Sequence, residues 1–256
     1  MKPGMYNASS LPYFIYTISV GHSEFVITAP TLVRMSPFFV SLAFHSPSSY
    51  ITLPSIHTYF FYRIYQFYNT NTPLPLSDVM TYTDQFLRTS DFLLTDEFKL
   101  HVQMAAYTNF FSNSFSSEMV FYHFKLATTY NAKYILERVS QCFAAHIHEI
   151  KNSQYFLELN TEELCLLIRN LPTYTHPFYK FHLLEAIAFY VLCDKSRHSH
   201  ILSLLQQSKL IDTKNLQLND VTPKRHKTLK PHIQYHHFLW FCTKRNLHDN
   251  DVVTLV

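Results

Sequence analysis

Residues 14–20 alternate along the chain. Phe14, Tyr16, Ile18 and Val20 fall on one side of an extended segment and Ile15, Thr17 and Ser19 on the other, which predicts a strand. Gly21-His22 supplies a two-residue turn with glycine where positive φ is needed, and Phe25–Thr28 returns as a second strand. Pro30 suits a first helical turn; Leu32, Met35, Phe39 and Leu42 then recur at helical spacing, predicting one helix that Pro47 stops. Tyr50–Leu53 reads as a short strand. Tyr59, Phe60, Ile64, Phe67 and Tyr68 form the apolar stripe of another helix, ending in the Asn- and Pro-rich stretch Asn69–Pro75. From Ser77 onward the pattern is helical. Ile135, Val139, Cys142, Phe143, Ile147 and Ile150 keep one face of a helix over 131–150. Asn160 and Glu163 form a capping box ahead of Leu164, Leu167, Ile168 and Leu171, with Pro172 as the stop. Residues 178–193 are apolar nearly all round, the mark of a central helix, and a further helix is predicted over 197–207. A small mixed unit is therefore followed by a helical one, joined near the polar stretch Ser112–Ser117.

Composition removes whole function classes from this outline. The 256 residues contain two glycines, Gly4 and Gly21, where a chain of this length usually carries about 18. Phosphate-binding loops and dinucleotide fingerprints place several glycines in one short turn, because backbone amides must approach the phosphates closely. The strained elbow that presents a hydrolase serine has a similar demand. None of these can be built here. Charged residues make up 15% and aromatic residues 16%, against a usual charged share of about 25%. A surface so short of charge points to bound protein partners. The net charge of +3 is too small to point to nucleic acid, and no apolar run reaches the ~18 residues of a membrane span.

Sixteen histidines and four cysteines invite a metal reading. Cys142, Cys165, Cys193 and Cys242 lie 23, 28 and 49 residues apart, which is neither a disulfide framework nor a zinc pattern. Their spacing suits reduced thiols in a cytoplasmic or nuclear protein. Cys142 and His146 share a helix, His146 and His148 flank Ile147, and His198 and His200 flank Ser199, but a structural zinc site wants four convergent ligands. The histidines can also act collectively, gaining positive charge below neutrality. No Ser, His and Asp set sits in a recognised strained turn, and Asp96-Glu97 and Glu162-Glu163 read as helix-start charge. No catalytic, cofactor-binding or metal-binding residue is assigned, and no small-molecule substrate is implied. Pro223–Lys230 is the densest basic run, and His232–Trp240 behind it holds the one tryptophan in an aromatic segment expected to dock on the preceding helices or on a partner.

The order of elements resembles a known family. Phe25-Val26-Ile27-Thr28-Ala29-Pro30-Thr31-Leu32-Val33-Arg34-Met35-Ser36-Pro37-Phe38-Phe39 is similar to the BTB (POZ) signature, and Phe86–Leu93 to that family's helix ending in Asp-Phe-Leu. Ala127 and Tyr130, Tyr155–Leu159, Glu163-Leu164, Glu185–Val191 and Arg197–Leu210 resemble the BACK domain that follows BTB in kelch-type proteins. The resemblance covers about residues 13–211. It implies an α+β N-terminal BTB/POZ-like domain over 13–111 and an all-α BACK-like helical domain over 112–211. An extension over 1–12 precedes them, and a basic linker with an aromatic tail over 212–256 follows. The 45 residues after Ile211 leave no room for a kelch propeller, whose blades take ~50 residues each.

Several positions depart from the family pattern. The first strand has no Asp, and Thr28 stands where many members have His. The dozen residues before Tyr13, Pro3 and Pro12 among them, argue against a family-type BTB homodimer. Ala43–Ser49 lacks the acidic residue that many cullin-binding members carry there. The resemblance implies a non-enzymatic interaction protein, an adaptor linked to a cullin-type ubiquitin ligase. Phe44 and His45 would then lie in the loop after a helix, with Phe110, Phe111 and Phe115 lining the cullin cleft. The alternative is a structural subunit of a large assembly, viral and located in the virion, whose neighbouring subunits are its partners.

Overall fold

Alternation in the first predicted strand does what a half-buried sheet requires. Strand β1 (Ile15–Val20) buries Tyr16, Ile18 and Val20 completely and leaves Ile15, Thr17 and Ser19 outward. Phe14 lies just before it and is 70% exposed, so the inward side begins at Tyr16. These facts come from a computed structural model that describes residues 11–45, 48–53, 55–109, 116–172, 177–200, 203–204 and 207–208. Strand β2 (Ser23–Thr28) pairs antiparallel with β1, Val20 opposite Ser23 and Ile15 opposite Thr28. Gly21 sits at the turn with φ +59°, and the Thr58 hydroxyl donates to Val20 O at 2.9 Å beside it.

Helices α1 (Ala29–Met35) and α2 (Pro37–His45) replace the single helix predicted between Pro30 and Pro47. The break is at Ser36, with φ −174° and ψ 141°. A residue before proline is sterically pushed out of the helical region, so Pro37 sets this corner. The Ser36 hydroxyl stabilises it by donating to Leu93 O and accepting from the Phe38 amide. Strand β3 (Tyr50–Thr52) then runs parallel to β1, giving the order β2-β1-β3.

Helix α3 (Thr58–Thr70) seals the inner face with Phe61 and Ile64, Phe25 lying edge-on to Phe61 at 4.9 Å. Helices α4 (Leu76–Leu93) and α5 (Asp96–Asn109) pack as a hairpin over Phe86 and Phe98, whose rings are 5.9 Å apart. Among the described residues, three positions at or near helix ends adopt the left-handed conformation with residues other than glycine: Asn71, Leu94 and Asn131. Asparagine tolerates that region well, whereas the Cβ of leucine crowds its own carbonyl. At Leu94 the turn closes through Thr95 N donating to Ser90 O at 2.9 Å.

The remaining described elements are helical: α6 (Ser117–Thr129), α7 (Lys133–Ala145), α8 (Ile147–Ile150), α9 (Gln154–Leu157), α10 (Thr161–Arg169), α11 (Pro177–Leu192) and a 3-10 turn over Lys195–His200. The helix predicted over 131–150 is thus divided at His146, whose φ of −117° interrupts it. The helix predicted over 197–207 begins instead as that 3-10 turn. The capping box before α10 is present, each of Asn160 and Glu163 accepting at 2.9 Å from the other's amide. The fold is therefore mostly helical with one small sheet, an α+β arrangement.

The described residues fall into two compact units: 11–109 with 126–135, and 116–125 with 136–208. Tyr130 shows why 126–135 belongs with the first. Its hydroxyl donates to Asp84 Oδ1 at 2.7 Å and accepts from Arg88 Nε at 3.4 Å. The core of the second unit is Phe143, Phe156 and Tyr190, with Phe156 5.9 Å from Phe143 and 5.7 Å from Tyr190. The basic run Pro223–Lys230 and the aromatic segment His232–Trp240 lie outside the described residues.

Candidate functional site

Helix α2 carries the two described members of the predicted partner site. Phe39, Val40 and Ala43 point into the core, so the helical period turns Phe44 and His45 outward. Phe44 is 43% exposed, while Phe39 on the same helix is fully buried. His45 closes the last turn, its Nδ1 2.7 Å from Ser41 O. A large aromatic side chain on the surface beside a helix end can contribute apolar contact area to a protein partner. Phe110, Phe111 and Phe115 lie outside the described residues.

A second aromatic surface in the same unit was not legible in the pattern. Tyr59 and Phe60 of α3 each lie 5.8 Å from Tyr82 of α4, and Phe60 packs on Phe86 at 5.3 Å. Helix α4 bends at Tyr82, with φ −126° and ψ 22°. Thr81 and Thr83 flank the bend and donate their hydroxyls to the carbonyls of Ser77 and Val79, competition that bends helices. Arg63 runs beside this cluster, 5.3 Å from the Tyr59 ring centre and 2.8 Å from Asp78 Oδ2. Burial, together with the hydrogen bond to Asp78, raises the Tyr59 hydroxyl above the usual tyrosine range. The only sequence signal for this surface was the density of aromatics in 59–68. Its partner Tyr82 lies beyond the Pro-rich turn.

Histidine placement differs from the sequence pairing. His146 and His148 both approach Glu149 Oε1, at 3.4 and 3.2 Å, and His148 lies 6.0 Å ring to ring from His182 of α11. His182 and Lys151 meet Glu185 at 3.2 and 2.5 Å. Burial tends to raise the Glu185 carboxyl, but the hydrogen bonds from Lys151 and His182 prevail and hold it below the usual carboxylate range. The network joins the end of α8 to α11 through histidine and lysine side chains interleaved with carboxylates. Among the described residues no group of three or more His, Cys, Asp or Glu is placed to hold a metal ion. Cys142 packs partly buried instead, and burial pushes its thiol up to about 11, far from a ready thiolate ligand.

His123 and His101 are held neutral. Burial lowers His123 to about 4, opposed by its bond to Met119 O, 2.8 Å from Nδ1. Burial also lowers His101, whose Nε2 accepts from the Leu74 amide at 3.3 Å, a role that only the neutral ring can fill. Neither histidine adds charge to the surface near neutrality. Among the described residues no helix is long and apolar enough to cross a membrane.

No family model matches the chain, and no curated protein matches it.

Proposed function

We propose that the chain is a non-enzymatic interaction protein of BTB–BACK type, an adaptor that presents a partner to a cullin-type ubiquitin ligase. The observation that carries this reading is Phe44, an exposed aromatic at the end of α2, a helix that buries Phe39, Val40 and Ala43. The order of elements supports it as well: a hairpin, two short helices, a strand parallel to β1, three longer helices, then helices alone. His45 beside Phe44 offers a polar rim to the same contact.

The test is titration of the full chain with a purified cullin N-terminal domain, followed by calorimetry or size exclusion. A stoichiometric complex weakened about tenfold or more by Phe44→Ala, with an unchanged melting curve, supports the adaptor role; that loss is typical of a central aromatic anchor. No complex at high micromolar concentration sinks it.

A structural subunit of a large viral assembly is the second reading. It is favoured by the outer face of the sheet, where Ile15 on β1 and Val26 on β2 are diagonal neighbours and both more than half exposed. Ordinary monomers scatter such residues singly, so assembly of the purified chain into defined higher oligomers would support this reading over the first.

A further inference from the structure

Helix α11 is apolar on nearly every side, a pattern that belongs to a helix covered all round. Leu183, Leu184, Ala186, Ile187, Ala188, Tyr190 and Val191 are buried. Four further residues of the helix, His182, Glu185, Phe189 and Leu192, with Cys193 just past its end, recur at intervals of three, four, three and one, which is a single helical stripe. Its first half is polar and already engaged, through the network of His182, Glu185 and Lys151. Its second half is apolar and open: Phe189 is 36% exposed, Leu192 52%, and Cys193 is exposed. A solvent-facing stripe ordinarily carries polar side chains at these places.

We propose that residues 233–241 of the same chain cover this stripe. In that stretch Ile233, Tyr235, Phe238, Leu239, Trp240 and Phe241 are apolar or aromatic, and none of its residues is Asp, Glu, Lys or Arg. The described chain reaches Ser208, close behind Gln207, which accepts from Arg169 at 2.7 Å in the same unit as α11. Twenty-four residues then separate Ser208 from Ile233. At ~3.3–3.6 Å per residue that interval reaches about 80 Å at full extension, more than enough to bring residues 233–241 to α11. Membership of one chain makes the contact intramolecular, which raises its effective concentration. A contact too weak to capture a separate peptide is therefore occupied within one chain. The proposal is independent of the cullin reading and stands or falls on other residues.

Trp240 is the one tryptophan, so its fluorescence reports the segment directly. In the full chain we expect emission shifted to the blue of the denatured protein, acrylamide quenching several-fold weaker, and no change on dilution. Leu192→Asp should return both readings to those of the denatured chain, with the circular dichroism spectrum unchanged. Thr129→Asp, an exposed control on α6, should leave them blue-shifted. Emission equal to that of the denatured protein overturns the proposal. A blue shift that disappears on dilution overturns it in favour of a second copy as the occupant. A shift that survives Leu192→Asp shows that the segment covers another surface. Should Leu192→Asp not fold, maleimide labelling of Cys193, read by mass spectrometry, decides the matter. Replacing Phe238, Trp240 and Phe241 together by Ser should accelerate labelling several-fold, and equal rates overturn the proposal.

Discussion

The guanidinium of Arg197 lies 4.0 Å from the centre of the Tyr190 ring. From that stacked position it donates to Leu157 O at 2.6 Å and to Tyr190 O at 3.2 Å. The Tyr190 hydroxyl in turn donates to Leu159 O at 2.7 Å. One planar cation thus joins the 3-10 turn, α11 and the end of α9. Lysine can neither stack as a plane nor fork to two carbonyls. Arg197→Lys should therefore cost about 1–2 kcal/mol in denaturant unfolding, from the stacking and one charge-assisted bond. An unchanged midpoint would show that the clamp contributes nothing.

Leu94 offers a gain rather than a loss. It holds φ +53° at the end of α4, with its side chain half exposed. Glycine relieves the left-handed penalty while giving up little packing. Leu94→Gly is expected to stabilise the protein by about 0.5–1 kcal/mol, after its added freedom in the unfolded chain is subtracted. The thermal midpoint checks the sign.

Gly21 is the opposite case. An added Cβ would meet the Thr58 hydroxyl at 2.9 Å, on a backbone with φ +59°. That hydroxyl is engaged with Val20 O, so it cannot withdraw freely. Gly21→Ala should destabilise by about 1–3 kcal/mol, conformational strain and close contact adding together. Urea unfolding with an unchanged slope is the measurement.

Acid should weaken the protein before its carboxylates protonate. Burial lowers His123 to about 4 from an ordinary 6.5, and His101 is lowered as well. Between those two values the unfolded chain binds more protons than the folded one, so stability rises with pH. The contribution is complete above pH 6.5 and is lost progressively as pH falls toward 4. For His123 it amounts to at most about 3 kcal/mol, at ~1.4 kcal/mol per pKa unit. His123→Leu should flatten the stability profile between pH 6.5 and 4, whatever it does to the plateau. An equally steep profile would place the acid sensitivity elsewhere.

Short-range pattern carried several local elements. The β1 and β2 hairpin, the strand at Tyr50 and the cap at Asn160 each follow from a few adjacent residues, and each is present. Pro37 was as visible as Pro47, yet the apolar period running from Leu32 to Leu42 masked the corner at Ser36. The pairing of His148 with His182 and of Phe60 with Tyr82 depends on how helices meet, which no local period encodes. The parallel pairing of β1 with β3 was hidden for the same reason. Asparagine, which tolerates the left-handed region, stands at Asn71 and Asn131; leucine at a third such turn was not foreseeable from propensity.

Strand β1 is central in the sheet, yet it is synthesised before both neighbours. Its hairpin partner follows at once, whereas β3 begins thirty residues after Val20. At translation rates of about 5–20 residues per second, that interval lasts roughly 1.5–6 s. Throughout it the β3 side of β1 is an open edge with unpaired amides, able to pair with a neighbouring nascent chain. Thr17 and Ser19 stand along that edge in a strand otherwise rich in Ile, Tyr and Val, and they temper its stickiness during those seconds.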